Sequence, residues 1–179
     1  MPNPIKHIQK NLLPRTAALV ESPVNRRYLT GFASSYGHLL IANESVCFLT
    51  DCRYIEAAQA AVTVCPVEEV KAGRLAEICK QHGVKKILLE GAYISLEQAR
   101  QLQENIPTVH FDMRSKRLDM LLRNLRECKS QAEIEAITRA QRIAEAAFEQ
   151  VLGRIAEGVR SGSLPWSWII LCCATGRRR

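Results

Sequence analysis

Two short apolar runs in the first third of the chain place the strongest constraint on its fold. His38–Ala42 (HLLIA) and Val46–Thr50 (VCFLT) have the length of β-strands, and the three residues between them, NES, favour a turn. The pattern therefore predicts a β-hairpin. Asp51 follows the second run directly, and its side chain is suited to cap a helix that we expect over residues 53–61.

The rest of the first 126 residues alternates between apolar runs of strand length and helical patterns. Further strands are predicted at residues 16–20, 62–65, 87–89 and 108–111. Further helices are predicted within residues 1–13 and at 23–30, 71–82, 95–103 and 115–124. Strands that alternate with helices are typical of an α/β fold in which helices flank the sheet. Because the hairpin pairs antiparallel strands, we expect a mixed β-sheet.

A long amphipathic helix is predicted after this α/β domain. Ser130 and Glu133 have the spacing of a capping box, and apolar side chains then recur every three or four residues until Gly158. At 1.5 Å per residue such a helix is about 40 Å long, and its apolar stripe needs a partner. We therefore expect a linker helix over residues 127–158 and self-association of the chain. The segments expected at that contact are Ile134, Phe148 and Val151, or the tail at residues 166–170.

The charge distribution argues against a nucleic-acid-binding protein. The formal net charge is +7, but residues 1–158 carry 21 basic and 18 acidic side chains, so most of the excess lies in the last 21 residues. Nucleic-acid binding would require a basic face with stacking aromatic side chains. No apolar run reaches the roughly 20 residues that span a bilayer, so we expect no membrane span.

The seven cysteines and four histidines show no metal-binding pattern. No CxxC pair occurs, no two histidines have the spacing of a zinc site, and the first ten residues are too polar for a signal peptide. We therefore expect reduced thiols and a cytoplasmic protein.

Several motifs together resemble one known family. Residues 28–32 (YLTGF), 39–41 (LLI) and 49–51 (LTD), followed by Arg53 and Tyr54, are similar in order and spacing to the N-terminal domain of the creatinase/prolidase family. That family includes the Xaa-Pro aminopeptidases and the Xaa-Pro dipeptidases. The resemblance implies a mixed α/β sheet and a non-catalytic domain, residues 1–126, that contributes to dimerisation and shapes the substrate pocket of the intact enzyme.

The resemblance also implies which chemistry this chain lacks. Peptidases of the family use two divalent metal ions, such as manganese or cobalt, which a C-terminal catalytic domain holds. The similarity ends near Gly158, before the first of these ligands, so we expect no catalytic residue and no metal ligand in this chain and no activity from it alone. Restoring one nucleotide after Val159 in a back-translation gives a family-like continuation, so we interpret residues 159–179 as a frameshifted tail.

Two other functions stay open at this point. One is a working hydrolase whose tail completes a site. The other is a free-standing binding or assembly module that uses the apolar stripe of the long helix. For the favoured function the expected partners are a second copy of the chain and, only in the intact enzyme, a proline-containing peptide.

The loop at residues 33–37 is the best candidate for contact with a substrate. The resemblance implies that in family dimers this loop reaches the active site of the partner subunit. Phe32 and Tyr36 offer apolar surface for a proline ring, Ser35 lies between them, and the guanidinium of Arg53 suits a substrate carboxylate. The alternative is that Phe32 belongs to the core, Tyr36 only lines the loop and Arg53 pairs with a neighbouring carboxylate.

Overall fold

Short strands alternate with helices along residues 3–112 and 114–152, the part of the chain that the computed structural model describes. The first half contains α1 (Pro4–Asn11), β1 (Thr16–Val20), α2 (Pro23–Thr30), β2 (His38–Ala42), β3 (Val46–Thr50) and α3 (Ile55–Ala61). The second half contains β4 (Val67–Glu69), α4 (Arg74–Gln81), β5 (Lys86–Leu89), α5 (Leu96–Asn105), β6 (His110–Asp112), α6 (Arg117–Glu127) and α7 (Gln131–Leu152).

The six strands of the described chain form one mixed sheet in the order β4-β3-β2-β1-β5-β6. Strand β2 runs antiparallel to both β1 and β3. Strand β4 is parallel to β3, and β5 is parallel to its two neighbours, β1 and β6. Strands β3 and β5 therefore lie inside the sheet, where residues that are apolar on both faces are expected. The predicted α/β class, the mixed sheet and the hairpin are confirmed.

Helices cover both faces of the sheet, because successive residues of a strand point to opposite sides. Leu39 and Ile41 of β2 pack in a cluster with α1, α3 and α6, whereas Leu40 packs in a second cluster with α4 and α5. All three side chains are at most 2% exposed. Fully burying one such side chain stabilises a fold by about 1.5–3 kcal/mol, so the central strands hold the two layers of helices together.

The strand predicted at residues 62–65 is wrong, because the chain reaches the sheet only after Pro66. The Val62 amide still donates to the Ala58 carbonyl, as the C-cap of α3. The Phe48 amide of β3 then donates to the carbonyl of Pro66 at 3.0 Å. The edge strand β4 follows that contact.

Helix α3 begins two residues later than predicted, because Asp51 closes a turn instead of capping the helix. Its carboxylate accepts a hydrogen bond from the Arg53 amide at 3.1 Å, and its carbonyl accepts from the amides of Tyr54 and Ile55. Tyr54 is the N-cap of α3 and makes no capping bond with its side chain. This turn leaves Arg53 outside the helix.

The capping box predicted for the long helix is present. The Ser130 amide donates to the Glu133 carboxylate at 2.7 Å, and the Glu133 amide donates to the Ser130 hydroxyl at 3.3 Å. The Glu133 carboxylate also accepts from the Ser130 hydroxyl at 2.8 Å, and the two bonds that it accepts from Ser130 lower the pKa of Glu133. Helix α7 therefore starts where the sequence places it, in a second compact unit that begins at Lys129.

The apolar side chains of α7 differ in exposure. Ile134 and Ile137 are 46% and 55% exposed. Val151 is buried, so the expectation that it lies at a self-association contact is not supported. The predicted helix end at Gly158 and the tail at 159–179 lie outside the described residues. No helix in the described part of the chain combines the length and the apolar character needed to cross a membrane.

Candidate functional site at the carboxyl edge of the sheet

The predicted site residues lie at one end of the sheet. The carboxyl ends of β1, β3 and β5 meet there with the amino end of β2, because β2 alone among them runs in the opposite direction. We call this end the carboxyl edge and define it by the residues that follow β1, β3 and β5 together with the loop 31–37 that precedes β2. Glu21, Asp51 and Glu90 directly follow the three strands.

The loop before β2 is fixed against the sheet by Gly37. Its φ of +146° is unfavourable for other residues, and an added Cβ would lie 2.7 Å from the Phe48 ring and 2.9 Å from the Leu49 carbonyl. The buried hydroxyl of Thr50 donates to the Tyr36 carbonyl at 3.2 Å. The backbone that follows the exposed Tyr36 side chain is therefore held in place.

A chain of three polar side chains continues from Tyr36 into the sheet. The His38 Nε2 and the Tyr36 hydroxyl are 3.2 Å apart, and the His38 Nδ1 and a Glu21 carboxylate oxygen are 2.6 Å apart. The rings of Tyr36 and His38 meet edge to face, with centroids 5.2 Å apart. Burial, followed by the nearby charges of Glu21 and Asp51, raises the pKa of Tyr36. The hydroxyl therefore keeps its proton in the physiological range.

Phe32 has a supporting position. Its ring packs edge to face against Phe48 of the core at 6.4 Å and against Tyr54 at 6.3 Å. Ser35 is exposed and shares a hydrogen bond of 2.9 Å with the Tyr54 hydroxyl, which lowers the pKa of Tyr54. The structure thus brings Phe32 and Ser35 together through Tyr54, with Phe32 on the core side of that ring.

Arg53 forms the ion pair that the sequence leaves open as an alternative. Its Nε and Nη2 both donate to one carboxylate oxygen of Asp51, at 3.0 and 2.6 Å. This hydrogen bonding lowers the pKa of Asp51 and raises that of Arg53. The guanidinium also lies 5.5 Å from the centroid of the Tyr54 ring, and the Arg53 side chain is 65% exposed. The other three N–H groups of the Arg53 guanidinium do not bond to Asp51.

Two buried charged side chains hold the carboxyl edge together, and sequence reasoning missed both. The Glu90 carboxylate is fully buried and accepts from the amides of Glu21 and Ser22 and from the Asn25 side chain. It ties the end of β5 to the junction of β1 and α2. Burial raises the pKa of Glu90 more than these bonds lower it. The sequence signal that could have revealed Glu90 is an acidic residue directly after an apolar strand. A carboxylate is seldom buried unless it has partners, so such a residue indicates a set of hydrogen-bond donors around it.

Arg26 is the second of these side chains and is 2% exposed. Its guanidinium donates to the Glu21 carbonyl and, at 2.9 Å, to the carbonyl of Ser34 in the loop. Its Nε has no hydrogen-bond partner. Burial lowers the pKa of Arg26, an effect that the charges of Glu21 and Glu90 oppose. Arg26 therefore connects the end of β1 with the loop that carries Tyr36.

A cleft of about 350 Å³ opens beside this chain of side chains. Glu21, Arg26, Tyr36 and His38 line one side, and residues before and within α5 line the other. No group of three or more histidine, cysteine, aspartate or glutamate side chains within residues 3–112 and 114–152 is arranged to hold a metal ion.

Comparison with known proteins gives one family. Residues 15–128 match the profile described as the Creatinase/Prolidase N-terminal domain. The uncharacterized peptidase YqhT of Bacillus subtilis is 30% identical over 152 residues, which cover 79% of this chain and 40% of that protein. A solved Xaa-Pro dipeptidase from Bacillus anthracis has a TM-score of 0.87 at 24% identity and covers 96% of this chain, which spans 48% of that structure. The prolidase from Pyrococcus horikoshii OT3 has a TM-score of 0.78 at 24% identity, with coverages of 97% and 48%.

This chain belongs to the creatinase/prolidase family and contains its N-terminal domain. It spans less than half of the length of the relatives just described. The two solved structures support the α/β fold. They support nothing more than the fold, because their sequence identity to this chain is low.

Proposed function

We propose that this chain supplies the non-catalytic N-terminal domain of an Xaa-Pro peptidase and that its carboxyl edge bounds the substrate pocket of a partner subunit. The observation that carries the proposal is the grouping of Ser35, Tyr36 and Arg53 at one edge of a creatinase/prolidase N-terminal domain. A relative from Mycoplasma pneumoniae that is 36% identical over 92 residues and is described as a putative Xaa-Pro aminopeptidase supports the substrate class, a peptide that contains proline.

The contacts of the site residues suggest different roles for them. Tyr36 is 39% exposed and presents both an apolar ring and a hydroxyl. Its ring suits a prolyl ring, which offers apolar surface of similar size. Arg53 keeps N–H groups available beside Asp51, so it suits a substrate carboxylate. Phe32, which packs on the core, instead holds Tyr54 and through it Ser35 in place.

We assign hydrolysis not to the N-terminal domain at residues 15–128 but to a separate catalytic half of the peptidase, which would hold two divalent metal ions, such as manganese or cobalt. We expect the chain alone to release no proline from Xaa-Pro peptides when either metal is added. The assay measures free proline. Turnover that copurifies with this chain through repeated purification would contradict the assignment.

A chimera tests the pocket role. Residues 1–128 of this chain replace the matching domain of the Bacillus subtilis relative, and the KM for an Xaa-Pro peptide is measured. Tyr36→Ala and Arg53→Ala should each raise KM about fivefold to tenfold, the usual loss for one contact of about 1 kcal/mol. Glu44→Ala, in the exposed turn at the other end of the sheet, is the matched control and should leave KM unchanged. Equal KM values for all variants would refute the pocket role.

The exposed apolar side chains of α7 favour a second candidate, an assembly module. Ile134 and Ile137 are about half exposed, and Leu152 is 47% exposed. Apolar area of this kind seldom stays uncovered in a soluble protein. We expect sedimentation to show self-association that the double substitution Ile134→Ser and Ile137→Ser weakens. A strict monomer at high protein concentration would contradict self-association, whichever of the two functions holds.

We also propose a reducing compartment, the cytoplasm, as the location. The five cysteines in the described part of the chain are free thiols. Burial raises the pKa of Cys47 to about 12 and those of Cys65 and Cys79 to about 11, so these three stay protonated and unreactive. Cys52 is exposed, and a free exposed thiol persists most readily where the surroundings are reducing.

A further inference from the structure

The hydrogen bonds between Glu21, His38 and Tyr36 have a defined direction. An ionised carboxylate only accepts hydrogen bonds, so the His38 Nδ1, 2.6 Å from the Glu21 oxygen, is the nitrogen that carries the proton. In a neutral imidazole the other nitrogen, Nε2, has no proton and accepts. The Tyr36 hydroxyl, 3.2 Å away, then donates to it. The oxygen of Tyr36 is left to accept a hydrogen bond from whatever enters the cleft.

Protonation of His38 reverses the second of these bonds. Both nitrogens of an imidazolium donate, so Nε2 then donates to the Tyr36 oxygen. The Tyr36 hydroxyl proton turns away from His38 and becomes available as a donor. We propose that Glu21 and His38 form a positioning pair that makes Tyr36 a hydrogen-bond acceptor when His38 is neutral and a donor when His38 is protonated.

The backbone around the pair keeps its geometry fixed during this change. Val20 pairs with Leu39 in the β1–β2 ladder, so Glu21 and His38 stand directly opposite each other at the end of the two strands. The Tyr36 carbonyl is held by Thr50. The reversal therefore needs only protons to move and no rearrangement of the loop.

Among the described residues, few other charged or titratable groups face this chain of side chains. Arg26 and Tyr93 line the same cleft, Asp51 acts on Tyr36 from the end of β3, and Glu90 lies close enough to act on Arg26. The polar α5 side chains at the cleft carry no charge, and they are Gln98, Gln101 and Asn105. Because the pKa of Tyr36 is raised, the Tyr36 hydroxyl keeps its proton in the physiological range.

The consequence for a ligand rests on the proposed function. With His38 neutral, Tyr36 offers an acceptor, which suits an N–H group of a bound peptide. With His38 protonated, Tyr36 offers a donor, which suits a peptide carbonyl or carboxylate. The hydrogen-bonding preference of Tyr36 would therefore depend on the protonation state of His38.

Nuclear magnetic resonance of this chain tests the pair without any substrate. Long-range ¹H–¹⁵N spectra should show neutral His38 with its proton on Nδ1, and the ¹³Cζ shift of Tyr36 should change in one step at the midpoint of the His38 titration. His38→Gln should abolish that step, and Glu21→Gln should move the His38 proton toward Nε2. Tyr93→Phe, in the same cleft but outside the pair, is the control and should leave the step intact.

Two results would overturn the inference. One is neutral His38 with its proton on Nε2, and the other is a Tyr36 step that persists in His38→Gln. Preserved amide signals from β1 and β2 establish that each variant is folded; if His38→Gln unfolds, the tautomer of the unmodified chain and the Glu21→Gln spectrum decide. The resonance experiment contains no peptide, so its result does not depend on the outcome of the chimera assay. A failure of the pocket role and a failure of this inference can therefore be distinguished.

Discussion

The two ends of the sheet hold their polar side chains in different ways. At the carboxyl edge, Glu90, Arg26 and Thr50 are buried and hydrogen-bonded. At the opposite end, around the hairpin turn and the starts of β1 and β5, the polar side chains Arg15 and Glu44 are exposed.

The opposite end also has the larger cleft, about 520 Å³ against about 350 Å³. Its size does not make it the better site, because the charged side chains that line it, Arg15 and Glu44, are exposed, and no residue of its lining is a buried charged group. Buried polar groups are costly unless they are paired, so a fold that retains them at one edge fixes the geometry there. The comparison indicates that buried, hydrogen-bonded polar side chains identify the candidate site better than cavity volume does.

The largest difference between the two ends should come from a single methyl group. Gly37→Ala would place a Cβ against Phe48 and the Leu49 carbonyl at an unfavourable φ, so we expect a loss of about 3 kcal/mol in the free energy of unfolding. Gly83→Ala, at the opposite end, has a φ of +61° but open space around the Cβ, and should lose only about 1 kcal/mol. Urea unfolding followed by circular dichroism measures both, and equal losses would show that the carboxyl edge is not tightly packed.

Removing the buried carboxylate should have the next largest effect. Glu90→Gln turns an amide N–H toward backbone donors, so we expect a loss of about 2 kcal/mol at acidic pH. Burial raises the folded-state pKa of Glu90, so its contribution is complete below the ordinary glutamate range and is lost as pH rises through the raised value.

The difference between the unmodified chain and Glu90→Gln should therefore shrink with rising pH. Urea unfolding at a series of pH values measures it. Glu44→Gln, exposed in the hairpin turn, is the control and should stay within about 0.5 kcal/mol. A difference that grows with pH would mean that the three hydrogen bonds outweigh burial.

The smallest effect is expected at the end of β6. Asp112 accepts from Lys86 at 2.7 Å and from the Ser115 amide at 2.9 Å, and the Lys86 contact contributes most to lowering its pKa. Asp112→Asn should cost about 1 kcal/mol near neutral pH. Because the folded pKa is lowered, this contribution is present above the unfolded pKa and is lost as pH falls through the folded value.

The same unfolding series measures the Asp112 effect. Glu104→Gln, which breaks an exposed pair with Arg100 on α5, is the control and should cost less than about 0.5 kcal/mol. A constant cost of Asp112→Asn down to strongly acidic pH would show that the charge of Asp112 is not the cause.

The strands of the sheet interior could be predicted from the sequence almost residue by residue. Thr16–Val20, His38–Ala42 and Val46–Thr50 are apolar on both faces, so their pattern depends on burial and needs no knowledge of their partners. The edge strand β4 could not be found in this way. Two of its three residues are acidic, and pairing with β3 after Pro66 decides its position.

The candidate site was predicted only in part, for a related reason. The sequence places Ser35, Tyr36 and Arg53 near the end of the hairpin, and the structure brings them to one edge. Glu90 comes much later in the chain, and it reaches the same edge through contacts that the parallel pairing of β1 with β5 creates. The contact between His38 and Glu21 likewise depends on the strand register, which sets the two residues opposite each other.

Mixed dimers of the chimeric peptidase test the central claim most directly, namely that the carboxyl edge serves the active site of a partner subunit. One subunit carries the unmodified domain and a catalytic half inactivated at a metal ligand. The other carries Tyr36→Ala and Arg53→Ala with an active catalytic half. We predict that this mixed dimer has the KM of the unmodified enzyme, because the active site faces the unmodified domain. A KM equal to that of the doubly substituted homodimer would contradict the claim.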